Sequence, residues 1–188
     1  MKRCFLVILS FLIVFSFSVS AFAGSDAADL GMDMNTFMQK YNAIGSSLSS
    51  SLVKLEKPYK WTTYNNYSVA WLKPDNKSGV TILLLSSESS IVRDTSYGLD
   101  MIQIFMDNDS DFLSLITVTS RCVQVLSDPF FGYSMAPFYV SDLISYYYEN
   151  VYASGGSAYR TIDTEEKYIL TLFKSSNQYY FSISLRGE

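Results

Sequence analysis

The sequence predicts an α+β fold in which antiparallel strands form a sheet and helices pack on one of its faces. Two observations lead to this prediction. In three segments, apolar residues recur every three or four positions, the spacing of a helix with one buried side. Elsewhere, short runs rich in aromatic and β-branched residues are joined by short polar turns, which is typical of antiparallel strands. The order is helix, strands, two helices and strands, which places the chain in the α+β class.

The N-terminal segment has the pattern of a secretory signal peptide over residues 1–23. The basic pair Lys2-Arg3 precedes an almost unbroken apolar run from Cys4 to Val19, and Ala21-Phe22-Ala23 supplies the small residues that a signal peptidase reads. An uncleaved anchor is the alternative, since spanning a bilayer takes about 20 apolar residues. The clean cleavage pattern favours removal, so we expect a secreted or periplasmic protein without a stable membrane anchor.

The rest of the chain is predicted to hold one domain. Residues 24–31 are small and polar and are expected to be flexible, whereas residues 32–188 are long enough to bury a core. The chain has 14 Lys and Arg against 18 Asp and Glu, a net charge of −4, and loss of Lys2 and Arg3 makes it more negative. Because an acidic surface repels phosphates, we exclude nucleic acid as a partner.

The cysteine and histidine content argues against metal sites. The chain has no histidine, which removes the commonest general base and the commonest metal ligand. Cys122 is the one cysteine left after cleavage, so no intrachain disulfide can form and the core must hold the fold. Since Cys122 falls on the apolar side of a predicted helix, we expect a buried, inert thiol. We predict neither a metal nor a cofactor.

The first predicted helix starts near Leu30, because apolar residues recur at helical spacing from there onward. Asp33 and Asn35 are both suitable caps for its start. Gly45 and the serines that follow are weak helix formers, so a break or a flexible linker over residues 46–51 is the alternative to a continuous helix. The apolar stripe favours the helix, and its members are Leu30, Met34, Phe37, Met38, Tyr41, Ile44, Leu48, Leu52 and Leu55.

Four strands are predicted in the middle of the chain. Trp61 to Leu72 is rich in β-favouring residues and is predicted to be one strand, which ends at the turn of residues 73–79. Val80 to Ser86 is apolar on both faces, as a central strand is. Ile91 to Arg93 is predicted to be a short edge strand, and Leu99 to Met106 a longer one.

Two helices follow, with an aromatic loop predicted between them. Asp109 or Ser110 caps the first, which runs to about Leu126. Phe130 to Tyr139 is predicted to be the loop, because Pro137 suits the first turn of a helix. The second helix then stops at Gly155-Gly156, and its apolar face carries Val140, Leu143, Ile144, Tyr147 and Val151.

The C-terminal end is predicted to form an antiparallel meander. Its strands are Tyr159 to Thr164, Tyr168 to Lys174 and Tyr179 to Arg186. The last alternates apolar and polar residues, so we expect one buried face and one face in water. A weak similarity between the helices that precede the two groups of strands raises the alternative of a duplicated helix-plus-β-meander unit.

Two partial motifs do not support catalysis or calcium binding. Ser51 and Lys54 match S-x-x-K, and the elements that serine β-lactamases add to it have loose counterparts here. These counterparts lie too close along the chain to converge on one serine. The acidic run of residues 107–111 resembles a calcium loop, but Phe112 and Val118 stand where that loop needs Gly and Glu. Helix capping explains this run better.

Aromatic residues are the most promising candidates for a binding site. All 15 tyrosines lie after residue 23. Residues 146–148 are consecutive tyrosines on a helix and cannot all face inward, so at least one must be partly exposed. Tyrosine gives a broad contact area at low entropic cost, which suits peptides and sugars. The candidate binding residues are Phe131, Tyr133, Phe138, Tyr139, Tyr146 and Tyr148.

These observations favour a secreted, non-catalytic binding module with a peptide, protein or glycan ligand. The ligand would bind a concave sheet face or the predicted aromatic loop. A hydrolase of envelope material that uses carboxylates alone is the first alternative, although no acidic pair stands out and no catalytic residue is assigned. A structural or assembly protein held together by exposed strand edges is the second.

Overall fold

The computed structural model describes most of the chain from Leu30 onward. Its described residues are 30–47, 54–64, 67–74, 79–87, 94–106, 112–127, 129–161, 167–175 and 178–186. The predicted signal peptide, the predicted edge strand at Ile91 to Arg93 and the predicted caps Asp109 and Ser110 lie outside these ranges.

Three α-helices and seven β-strands make up the described part of the chain. In chain order they are α1 (Met34–Ser47), β1 (Lys60–Tyr64), β2 (Tyr67–Leu72), β3 (Val80–Ser86), β4 (Met101–Met106), α2 (Phe112–Leu126), α3 (Pro129–Asn150), β5 (Ser157–Thr161), β6 (Tyr168–Ser175) and β7 (Gln178–Leu185). A short 3-10 helix, Tyr152–Ser154, follows α3 and ends at Gly155, which adopts a positive φ of 73°.

All seven strands belong to one antiparallel sheet in the order β1-β2-β3-β4-β7-β6-β5. The two groups of strands meet where β4 pairs with β7, with Ile104 opposite Phe181. The α+β class with an antiparallel sheet is therefore confirmed. The duplicated unit stays a prediction: each group of strands follows a helix, but the groups differ by one strand.

Trp61 to Leu72 forms two strands, so the prediction of a single strand there was wrong. β1 and β2 pair as a hairpin with Lys60 opposite Trp71 and Tyr64 opposite Tyr67. The two asparagines between them in the sequence are typical turn residues. The prediction of one strand gave more weight to the aromatic residues on either side than to these asparagines.

The helices pack on one face of the sheet and bury the main core there. β3 is buried along its whole length, as its apolar composition predicts. Cys122 lies within this core. The helical side chains that the core buries include Phe37, Tyr41, Leu115, Val118, Val140, Leu143 and Tyr147.

The opposite face of the sheet carries a second buried cluster. We call it the second-face cluster, and its members are Val69, Trp71, Leu83, Leu85, Phe105 and Tyr180. Phe105 stacks on Tyr180, and Trp71 meets Phe105 edge-on. The expectation that one face of β7 lies in water was wrong, since Ser182 and Ser184 are buried. β7 lies between β4 and β6, so on this face Ser182 is flanked by Gln103 and Thr171, and Ser184 by Met101 and Ile169.

α1 starts at its predicted cap but ends before Leu55. Asp33 Oδ1 accepts a hydrogen bond from the Thr36 amide at 2.6 Å, as an N-cap does. The helix ends at Ser47, and the backbone of Leu55 hydrogen-bonds the side chain of Asn42 instead of continuing the helix. Continuity to Leu55 is therefore excluded, and the weak helix formers after Gly45 explain the end.

The predicted aromatic loop of residues 130–139 is helical, which corrects the sequence-based expectation. α3 begins at Pro129, and Pro137 lies inside it. Proline at the first helical position loses no intrahelical hydrogen bond. Pro129 therefore occupies the first turn of the helix, the position that the sequence analysis predicted for Pro137. Ala136 is buried one turn before Val140 and extends the apolar stripe towards the N-terminus. Burial of this stripe outweighs the hydrogen bond that Pro137 cannot donate.

Candidate functional site

The six candidate aromatic residues all lie on α3, but the helix separates them. Phe131 and Tyr133 fall in its first two turns, and their side chains lie outside the described part of the structure. Phe138 is 65% exposed and Tyr139 is half-buried. Eight residues of helix span about 12 Å, so Phe138 and Tyr146 lie two turns apart and do not form one compact cluster.

Tyr139 is held in a separate contact with the edge strand β5. The guanidinium of Arg160 lies 4.5 Å from the centre of the Tyr139 ring. The same group donates a hydrogen bond to Asp142 Oδ2 at 2.8 Å, which forms an ion pair. The contacts of Arg160 with Tyr139 and Asp142 join β5 to α3, and the Asp142 carboxylate neutralises the charge of Arg160.

The three consecutive tyrosines divide between core and surface as their helical positions require. Tyr147 is buried, with 1% of its surface exposed, and burial raises its pKa. Tyr146 and Tyr148 are 53% and 45% exposed. The prediction that at least one of them is partly exposed is confirmed, since successive helical residues point about 100° apart.

Tyr148 belongs to a surface cluster at the end of α3. We call it the tyrosine–lysine cluster, and its members are Tyr148, Tyr152, Lys174 and Tyr179. The rings of Tyr148 and Tyr152 lie 5.4 Å apart, and those of Tyr148 and Tyr179 lie 6.1 Å apart. The hydroxyls of Tyr148 and Tyr179 are hydrogen-bonded to each other. Three elements therefore meet in the cluster: α3, the 3-10 helix and the β6–β7 hairpin.

Buried aromatic residues support the cluster from below. Tyr179 is buried, and the ring of Phe112 meets it edge-on at 5.6 Å. The buried ring of Tyr147 lies 6.1 Å from Tyr148 and 6.3 Å from Tyr152. These contacts hold the exposed rings in place, so an incoming ligand meets a surface that is already ordered.

Lys174 places a fixed positive charge in the cluster. Its Nζ lies 4.8 Å from the ring centre of Tyr179 and 5.1 Å from that of Tyr152. Nζ also donates a hydrogen bond to the Tyr179 hydroxyl at 3.3 Å. This hydrogen bond stabilises the charged amine and raises the pKa of Lys174. The amine is therefore protonated at neutral pH.

Tyr152, Lys174 and Tyr179 are members of the cluster that the sequence reasoning missed. A signal for two of them existed, because Lys174 ends one predicted strand and Tyr179 begins the next. A short turn between antiparallel strands places such residues opposite each other, as β6 and β7 do. The contact of Tyr152 with Tyr148 also had a signal, because residues four apart on the predicted helix, which was expected to run to Gly155-Gly156, lie next to each other on its surface.

Several carboxylates in the described part of the chain serve local structure. The carboxylate of Asp94 accepts a hydrogen bond from the Ser96 amide, which lowers the pKa of Asp94. The carboxylate of Asp100 accepts one from the Ser87 amide, next to the paired strands β3 and β4. Within the described ranges, no three potential metal-ligating side chains come together.

Comparisons with known proteins do not extend these observations. The chain matches no protein-family model, and neither the curated proteins nor the solved structures match it. None of the helices within the described residues is long and apolar enough to cross a membrane. The function must therefore be argued from the geometry of the site.

Proposed function

We propose that the protein is a secreted, non-catalytic binding module whose ligand-binding surface is the tyrosine–lysine cluster. One observation supports the proposal above all: Tyr148 and Tyr152 leave 45% and 48% of their side chains exposed, although neighbouring rings hold both in place. Ordered, exposed tyrosines offer apolar ring faces and polar hydroxyls together. This combination suits a glycan or a peptide ligand.

The second-face cluster is a poorer candidate for the ligand-binding surface. Its six side chains are buried, so they offer little surface for a ligand to contact. The tyrosine–lysine cluster needs no such rearrangement, because its exposed rings already face solvent.

A carboxylate hydrolase receives no specific support from the acids that the structure describes. Such an enzyme needs two carboxyl groups across one cleft, one of them with a raised pKa. Asp142 pairs with Arg160, Asp33 caps α1, and the pKa of Asp94 is lowered rather than raised. Each of these carboxylates has a structural role that explains its position.

Binding is tested by screening the purified protein against glycan and peptide arrays and then measuring affinities for the ligands found. We expect Tyr148→Ala and Tyr152→Ala each to weaken binding at least about tenfold, as the loss of a central aromatic contact does. Tyr159→Ala is the matched control, since Tyr159 is 71% exposed on the edge strand β5 and lies outside the cluster. The proposal fails if no ligand is found, or if all three variants bind like the parent protein.

The proposal of secretion rests on the N-terminal sequence pattern and is tested separately. Expression of the whole chain in a secreting host is expected to release a product that begins at Gly24. N-terminal sequencing or intact mass identifies this start. Recovery from the membrane fraction of a product that still begins at Met1 would contradict secretion. It would leave the binding experiment unaffected.

A further inference from the structure

Lys174 differs from the other lysines that contact aromatic rings in the described part of the structure. Lys60 lies 4.4 Å from the Trp71 ring, Lys73 lies 5.6 Å from the Tyr59 ring and Lys167 lies 5.4 Å from the Tyr168 ring. Lys174 lies over the rings of both Tyr152 and Tyr179 and also donates a hydrogen bond to one of them. Its ammonium group therefore has three contacts with neighbouring tyrosines, which restrict it more than a single ring contact does.

The charge of Lys174 polarises a chain of two hydroxyl groups. An ammonium group only donates, so the Tyr179 oxygen must accept from Nζ. The Tyr179 proton is then available to the Tyr148 oxygen, to which it is hydrogen-bonded. The ammonium group of Lys174 and the hydroxyls of Tyr179 and Tyr148 therefore form one hydrogen-bonded chain at the surface of the cluster.

The positive charge of Lys174 is not neutralised by any described carboxylate. Arg160 on β5 forms an ion pair with Asp142, but Lys174 forms none with an acid that the structure describes. The chain as a whole carries a net charge of −4, so its average field repels anions. Salt at physiological strength screens this field beyond about 8 Å, so a ligand at the cluster responds mainly to nearby charges, of which Lys174 is one.

From this arrangement we infer that the tyrosine–lysine cluster selects acidic glycans, with the Lys174 ammonium group binding the carboxylate of a hexuronic acid residue. The inference rests on the proposed binding function and names its ligand class. The carboxylate accepts a hydrogen bond from Nζ, while the sugar ring packs on Tyr152. Binding is non-covalent, and no bond in the ligand changes.

A glycan fits this surface better than an acidic peptide does. The rings of Tyr148 and Tyr152 lie 5.4 Å apart, are inclined by 36° and are each about half exposed, so they offer apolar ring surface next to a single cation. A pyranose ring has a flat C–H face of matching size and holds its carboxylate rigidly at the edge. An acidic peptide would have to order a flexible backbone and side chain to make the same two contacts, which costs additional entropy.

The inference is tested by measuring the affinity of the protein for hexuronic acid oligosaccharides and for their methyl esters. Esterification removes the negative charge and keeps the sugar ring. We expect the acid to bind at least about tenfold more tightly than its ester, because a charge-assisted hydrogen bond is lost in the ester. We also expect Lys174→Met to abolish this preference, and Lys174→Arg to retain it because arginine keeps both the charge and the ring contacts.

Lys167→Met is the matched control, since Lys167 also lies over a tyrosine ring but at the other end of β6. This variant is expected to keep the preference for the acid. The preference of the parent protein for the acid over the ester must also decrease when the salt concentration is raised from 0.05 to 0.5 M, which shortens the Debye length about threefold. This measurement needs only the parent protein, so it remains valid even if a variant fails to fold.

The possible results separate the inference from the proposed function. Equal affinity for acid and ester, or an unchanged preference in Lys174→Met, overturns the inference but leaves binding intact if Tyr152→Ala still weakens it. Tighter binding of a glutamate-rich peptide than of the oligosaccharide overturns the choice of glycan. Absence of binding to every ligand overturns the proposed function itself.

Discussion

The side chain of Asn42 forms two hydrogen bonds with the backbone of Leu55, thirteen residues further along the chain. Nδ2 donates to the Leu55 carbonyl at 2.9 Å, and Oδ1 accepts from the Leu55 amide at 2.7 Å. In a continuous helix the two residues would lie about 20 Å apart. The pair therefore fixes where the chain returns after α1 and holds the buried Leu55 in the core.

We expect Asn42→Ala to lower the free energy of unfolding by about 1–3 kcal/mol, because both backbone groups of Leu55 lose a partner away from water. Chemical denaturation measures the change. Asn150→Ala is the control, since the Asn150 amide donates to the Tyr146 carbonyl at an exposed site. That variant should stay within about 0.5 kcal/mol of the parent. Equal losses in both variants would contradict a special role for Asn42.

Pro137 lies inside α3 and is exposed, so replacing it should stabilise the protein. Pro137→Ala adds a backbone N–H that can donate to the carbonyl of residue 133, and we expect a gain of about 1–3 kcal/mol. Thermal and urea unfolding give the measurement. Pro129→Ala is the matched control and should change stability little, because proline suits the first helical position. If Pro137→Ala destabilises the protein, the helix does not run through residues 130–136.

Phe105 in the second-face cluster should contribute as much to the stability of the fold as Phe181 in the main core. Both are buried, and we expect each substitution by Ala to cost about 3–5 kcal/mol in unfolding free energy. Phe138→Ala removes the same ring from an exposed position on α3 and should cost less than about 0.5 kcal/mol. A small cost for Phe105→Ala, close to that for Phe138→Ala, would mean that the second face is not part of the core.

The protein should lose stability at alkaline pH because of Cys122. Burial raises the pKa of this thiol, whereas in the unfolded chain it titrates near 8.5. Above that pH the unfolded state holds fewer protons than the folded state, so stability falls as pH rises. Between pH 8.5 and 10 we expect the parent to lose about 1–2 kcal/mol more than Cys122→Ala. The cavity left by Cys122→Ala lowers stability equally at every pH, so it does not affect the difference between the two pH dependences. Equal pH dependences in the parent and in Cys122→Ala would contradict the assignment to Cys122.

The predictions that succeeded were those that depend on local pattern. Asp33 caps α1 because its carboxylate reaches an amide three residues on, and β3 is central because it is apolar on both faces. Tyr147 turns inward between two exposed tyrosines because a helix rotates each residue by about 100°. The aromatic stretch around Pro137 misled the sequence reasoning, since proline is an ambiguous signal and the buried Ala136 is an inconspicuous one.

The sequence by itself determined the α+β class, the burial of Cys122 and the presence of exposed tyrosines at the end of α3. These features follow from periodicity and composition, which act over a few residues. Only the tertiary structure decided that β4 pairs with β7, that β7 is buried on both faces, and that Lys174 reaches Tyr152. Such contacts join segments far apart in the chain, and their geometry depends on how the whole sheet and its helices pack.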